Sequence, residues 1–146
     1  MARSYRLGFW RRLVNRIIRA FLRLGLSPPH TYLVTVRGRK SGKPYSTPVT
    51  LVEENGERWL VAPYGEVGWV KNARAAGRIR LSRGRQTEIV SIAELLPEDA
   101  APVLKKYISE VPITRPFFNV TPESASEDFI AEAPRHPVFR IEHSVP

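Results

Sequence analysis

From Thr31 to Leu95 the residues fall into short β-branched and aromatic runs cut by turn residues, and this pattern constrains the fold more than anything else in the chain. The runs predict strands at Thr31–Arg37, Tyr45–Glu53, Arg58–Pro63, Arg78–Ser82 and Gln86–Leu95, with one short helix at Val67–Ala76 between the third and fourth. Glu54-Asn55-Gly56-Glu57 carries the Asn-Gly signature of a two-residue hairpin, and Arg83-Gly84 marks a second turn. Strands joined in succession by hairpins build an antiparallel sheet that closes into a small barrel. A Rossmann domain is disfavoured, because alternating βα units are missing and no GxGxxG follows any strand.

Beyond the sheet, Pro97-Glu98-Asp99 places proline and acids where a helix N-terminus favours them, predicting a helix to about Glu110. Pro112, Pro116 and Pro122 then break the chain into loop, a further helix is expected near Ser124–Ala133, and Pro137–Glu142 reads as a last strand. The fold class expected is α+β, mainly antiparallel β, with peripheral helices.

The N-terminal region follows a different rule. Phe9, Trp10, Leu13, Val14, Ile17, Ile18, Phe21 and Leu22 recur at the spacing of one helical face, arginines fill much of the other, and Gly25 and Pro28-Pro29 stop the helix. Two units are expected: residues 1–27 as a basic amphipathic helix and residues 28–146 as the barrel domain. The arginines are too frequent for a membrane span or a signal peptide. Two uses stay open for residues 9–24: packing on the protein's own core or a partner, and contact with an anionic membrane surface. A cytoplasmic protein is expected, with peripheral attachment to the inner face of the cell membrane as the variant that the second use implies.

The net charge of +9 is unevenly spread. Residues 1–24 hold seven arginines and no acid, residues 25–85 hold eleven bases and four acids, and residues 86–146 hold five bases against ten acids. With no cysteine, disulfides, thiolate nucleophiles and Cys-based metal sites are excluded. His30, His136 and His143 show no ligand spacing, so no metal is expected.

Two segments carry the chemistry. In Gly38-Arg39-Lys40-Ser41-Gly42-Lys43, two glycines let the backbone turn N–H groups toward one point, Arg39, Lys40 and Lys43 supply charge, and Ser41 adds a hydroxyl. That set suits a phosphate, although a solvated Lys/Arg-rich hairpin turn accounts for the same residues. The glycines are one residue too close for a Walker A loop, and Pro44 stands where a magnesium-ligating Ser or Thr belongs. Ala62-Pro63-Tyr64-Gly65 ends a strand with residues that let backbone approach a planar ligand closely. Trp69 and Asn72 lie three apart on the helix that follows, so they share a face, Trp69 to cover a ring or anchor the core and Asn72 to bond a polar edge.

The run Thr35-Val-Arg-Gly-Arg-Lys-Ser-Gly-Lys-Pro-Tyr-Ser-Thr-Pro-Val49, followed by Trp59-Leu-Val-Ala-Pro-Tyr-Gly65 and Trp69-Val-Lys-Asn-Ala-Arg-Ala75, resembles the deazaflavin-dependent nitroreductase family of actinobacteria over roughly residues 31–90. The resemblance implies a split β-barrel, like those that bind FMN, holding coenzyme F-420 and passing hydride to a quinone, nitroaromatic or similar small electron-poor acceptor. It places Arg39, Lys40 and Ser41 at the coenzyme's tail phosphate and Ala62, Tyr64, Gly65, Trp69 and Asn72 around its ring and polyol. Gly42, Lys43, Pro48 and Pro63 complete the expected cofactor-binding residues. Tyr45 departs from members that carry an arginine there, and the loop from Gly65 to Trp69 is shorter than in the nitroimidazole-reducing member.

A hydride-donating cofactor asks the protein mainly to bind, orient and exclude water, which agrees with the absence of a catalytic triad or carboxylate pair. Tyr107 or water are the candidates for proton donation. FMN in the same barrel is the alternative cofactor, and split barrels commonly form homodimers. A nucleic-acid-binding module is disfavoured, since the basic stretch lacks interleaved aromatics and the C-terminal part is acidic.

Overall fold

In a computed structural model of the chain, the residues described are 30–144 together with Arg16. The expected N-terminal helix, and with it the membrane contact assigned to residues 9–24, lies outside these residues.

Six strands form a closed antiparallel barrel: β1 (Thr31–Arg37), β2 (Pro44–Glu54), β3 (Glu57–Val61), β4 (Arg78–Arg83), β5 (Gln86–Glu94) and β6 (Val138–Ser144). Their order around the barrel is β1-β2-β3-β6-β5-β4, with β4 pairing back onto β1. Each hairpin predicted from turn residues is present. Asn55 and Gly56 adopt φ of 53° and 81°, the two positive values that a tight hairpin matching strand twist requires. β3 stops at Val61, short of the expected Pro63: Ala62 donates its N–H to the Pro137 carbonyl, and proline then has no N–H to continue the ladder.

Helix α1 (Gly68–Ala76) crosses from β3 to β4 and packs on β1 and β4. It closes at Gly77, whose φ of 73° lets its N–H reach the Ala73 carbonyl at 2.8 Å. Arg74 fixes the helix in place, with Nε and Nη2 on the two carboxylate oxygens of Glu94 at 2.7 and 2.8 Å and Nη1 on Glu66 at 2.6 Å. Helices α2 (Pro97–Glu110) and α3 (Ser126–Glu132) pack together outside the barrel. The segment expected to be proline-broken loop instead contains a 3-10 helix, Pro112–Phe117. Proline at its first position costs no hydrogen bond there, because the leading N–H groups of a helix have no internal partner.

Period-two alternation along the strands builds two cores rather than one. Leu51, Leu60 and Phe139 point into the barrel with Val34, Ile79, Leu81 and Val90. Their chain neighbours Val52, Val61 and Val138 point outward and meet Leu104, Ile108, Phe118 and Phe129 beneath α2 and α3. The wall formed by β2, β3 and β6 is therefore apolar on both faces.

Candidate functional site

The loop between β1 and β2 and the turn between β3 and α1 lie at one end of the barrel, and Asn72 of α1 joins the loop to the helix. Its side chain is 7% exposed, and its Oδ1 accepts the Arg39 backbone N–H at 3.1 Å and the Arg39 Nη1 at 2.8 Å. Read from sequence as a ligand to a polar edge, Asn72 in the structure spends its acceptor oxygen on clamping the basic loop to α1. No local pattern could have shown this, since the partners are 33 residues apart.

The loop itself is internally braced. Gly38 donates to the Lys43 carbonyl at 2.7 Å, Gly42 donates back to Gly38 at 2.9 Å, and Arg37 Nη1 caps the Gly42 carbonyl at 3.1 Å. Gly42 turns the chain with a φ of 73°. Gly38 has no room for a side chain, because a Cβ there would lie 2.6 Å from the Tyr45 ring and 2.8 Å from Ser41 Oγ. Ser41 Oγ accepts the Lys43 N–H at 3.2 Å and bonds the Tyr45 hydroxyl at 3.1 Å, so Tyr45 covers the loop with a ring. Among the described residues, the Lys40 and Lys43 ammonium groups and the N–H groups of Lys40 and Ser41 take no protein partner. Exposed cations and spare amides on a braced backbone fit an anionic group such as a phosphodiester.

At the second segment, Gly65 takes a φ of 86° and donates to the Ala62 carbonyl at 3.3 Å, closing a tight turn. Ala62 and Pro63 are buried, whereas Tyr64 is 37% exposed and meets Phe117 edge-on, with ring centroids 4.8 Å apart. Trp69 is half-buried against the barrel core, tilted on Phe139 at 6.4 Å, which makes it an anchor as much as a wall. Pro48 is half-buried on β2 opposite Leu33.

Tyr107 belongs to the second core. It is 3% exposed, and burial is the main cause that pushes its phenol pKa well above the ordinary 10.0, aided by nearby Tyr64 and opposed by a hydrogen bond with Thr114. A pKa raised in the folded state stabilises the fold below the unfolded value and loses that contribution as pH rises past it. Denaturation midpoints should hold up to about pH 10 and then fall, less steeply in Tyr107→Phe than in the natural protein. An equal alkaline decline in both would show that Tyr107 is not the group responsible.

Three residues at the site had no sequence signal beyond their identity. Phe117 supplies the edge against Tyr64, and buried Glu132 bonds His136, which in turn bonds the Pro63 carbonyl of the turn. Glu132 and His136 are four apart, but that spacing alone marks neither as close to Pro63, 73 residues from His136.

Comparison with known proteins agrees with this geometry. The family model described as F420H(2)-dependent quinone reductase matches residues 10–114. Among solved structures, an F420-H2 dependent reductase aligns with a TM-score of 0.54 and 24% identity, over 78% of this chain and 95% of that one. A structure titled as a domain-swapped dimer aligns with a TM-score of 0.59 and 22% identity, over 90% of this chain and 98% of that one. A protein of unknown function from Agrobacterium tumefaciens aligns with a TM-score of 0.57 and 17% identity over 86% of this chain, which spans only 53% of that protein's length. Likeness at these identities establishes the shared barrel fold. No curated protein matches the chain. Since the family model covers most of the barrel together with both segments of the site, the chain belongs to the F420H(2)-dependent quinone reductase family and is an F-420-dependent oxidoreductase.

Proposed function

We propose that the basic loop binds the anionic tail of coenzyme F-420, that the Ala62–Gly65 turn and Trp69 border its ring, and that a quinone or similar electron-poor molecule takes the hydride. The observation that carries this reading is the Asn72 clamp, which ties a phosphate-type loop to the helix that follows a ring-type turn. Lys40 and Lys43 attract the tail phosphate, Ser41 shapes the loop, Gly42 supplies the positive φ of its turn, and Gly38 lets backbone pass where a side chain would crowd Tyr45 and Ser41.

When bound, the coenzyme supplies the hydride, which leaves binding, orientation and exclusion of water to the protein. Tyr64 and Phe117 offer an aromatic edge beside the ring site, suited to a flat acceptor. Tyr107 lies in the second core with a raised pKa, so we assign the acceptor's proton to water. FMN is the second cofactor to test, and yellow flavin absorbance in the purified protein would identify it.

Fluorescence titration with coenzyme F-420 should give saturable binding at micromolar concentration. In Lys40→Ala/Lys43→Ala, dissociation should rise by about tenfold at low salt, and the gap should narrow at high salt as ions screen the exposed charges. An unchanged affinity in the double variant would remove the loop from the binding site.

A further inference from the structure

Glu132, the last residue of α3, is 5% exposed, and His136, just after the 3-10 turn Ala133–Arg135, is 3% exposed. His136 Nδ1 lies 2.8 Å from the Pro63 carbonyl oxygen, and its Nε2 lies 2.7 Å from Glu132 Oε2. The same Oε2 accepts the Asn119 backbone N–H at 3.1 Å, and Phe118 stacks on the imidazole at 3.8 Å with a 17° interplanar angle.

A carbonyl oxygen can only accept, so Nδ1 carries a hydrogen. The remaining proton is then held between Nε2 and Oε2, whichever atom bears it. Burial, the largest cause, and the Arg135 charge disfavour an imidazolium, whereas Glu132 and the Pro63 carbonyl favour it. With the proton on Oε2 the carboxyl group donates to Nε2 and selects the Nδ1–H tautomer, and with it on Nε2 both nitrogens carry hydrogen, so Nδ1–H stays on Pro63 in either state.

A second contact joins the same two segments. A Cβ on Gly65 would lie 3.3 Å from the Arg135 carbonyl, so the turn and the 3-10 turn leading to β6 approach each other backbone to backbone. We propose that Glu132 and His136 are positioning residues for the coenzyme: a buried, proton-sharing pair that pins the Pro63 carbonyl and thereby sets the Ala62–Gly65 turn. The proposal rests on the reading of that turn as the border of the coenzyme ring.

Two substitutions separate the pair's bonds. The amide of His136→Asn takes the place of Nδ1 and keeps the bond to Pro63, whereas that of His136→Gln takes the place of Nε2 and keeps only the bond to Glu132. Both lose the stack on Phe118, so they lose stability alike. Coenzyme dissociation should rise about tenfold in His136→Gln and no more than about threefold in His136→Asn, the difference that a lost buried hydrogen bond represents.

Hydrogen exchange at the Gly65 amide, measured without coenzyme, should accelerate about tenfold in His136→Gln alone. From the carboxylate's side, Glu132→Ala, which removes the group that shares the Nε2 proton, should accelerate the same amide. Equal exchange in His136→Asn and His136→Gln, or exchange in Glu132→Ala no faster than in the natural protein, would overturn the proposal. If the natural protein fails to bind the coenzyme, the cofactor assignment falls, and exchange at Gly65 still decides whether the pair sets the turn.

Discussion

In Asn72→Ala, coenzyme affinity should fall by more than an order of magnitude and unfolding free energy by about 2 kcal/mol, because the buried oxygen that accepts both the Arg39 N–H and its guanidinium is gone. The stability loss comes from breaking a charge-assisted bond and opening a small cavity at a 7% exposed position. The affinity loss has a separate origin. Without the clamp, the loop of residues 38–43 and helix α1 are no longer held in one geometry, and the coenzyme must order them on binding.

Asn72→Asp separates these effects. A carboxylate still accepts from Arg39, so stability should stay close to that of the natural protein, yet a negative charge now sits beside the site for an anionic tail. Denaturation and fluorescence titration of both variants test the account together. If Asn72→Asp bound the coenzyme as well as the natural protein does, the loop and the clamp would not form one anion site.

The second large effect is expected at Gly65, and Gly56 provides its control. Both residues hold positive φ, 86° and 81°, so alanine at either should cost about 1 kcal/mol in backbone strain. Around Gly56 nothing lies within 4 Å of an added Cβ, whereas at Gly65 that carbon meets the Arg135 carbonyl at 3.3 Å. That contact at Gly65 is backbone, which cannot rotate away as a side chain would, so the turn carrying Pro63 and Tyr64 must shift.

Gly56→Ala should therefore lose stability with coenzyme affinity intact. Gly65→Ala should lose a similar amount of stability or more, and about tenfold in affinity, since a displaced turn no longer borders the ring site. Equal binding by the two variants would mean that the turn stands away from the coenzyme.

The sheet was legible because its signals are local. Asn55-Gly56 needs only two residues to specify a hairpin, β1 ran from Thr31 to Arg37 as predicted, and the helix at Val67–Ala76 differed by one residue. The loop at Gly38–Lys43 was equally plain, because glycine spacing and charge can be read in six consecutive residues. Proline misled in two places. It ended β3 earlier than its apolar run implied, and Pro112 opened a 3-10 turn where a break was expected.

What the sequence by itself determined was the antiparallel barrel, the position of both candidate segments, and the chemistry each could offer, since all of these rest on residues close together in the chain. Only the tertiary structure decided how the segments are held: Arg39 by Asn72, and Pro63 by His136 with Glu132 behind it. Those bonds join residues 33 and 73 positions apart. They form because barrel closure buries polar atoms that must then find partners, and which partner lies within reach is a matter of register and packing rather than of local pattern.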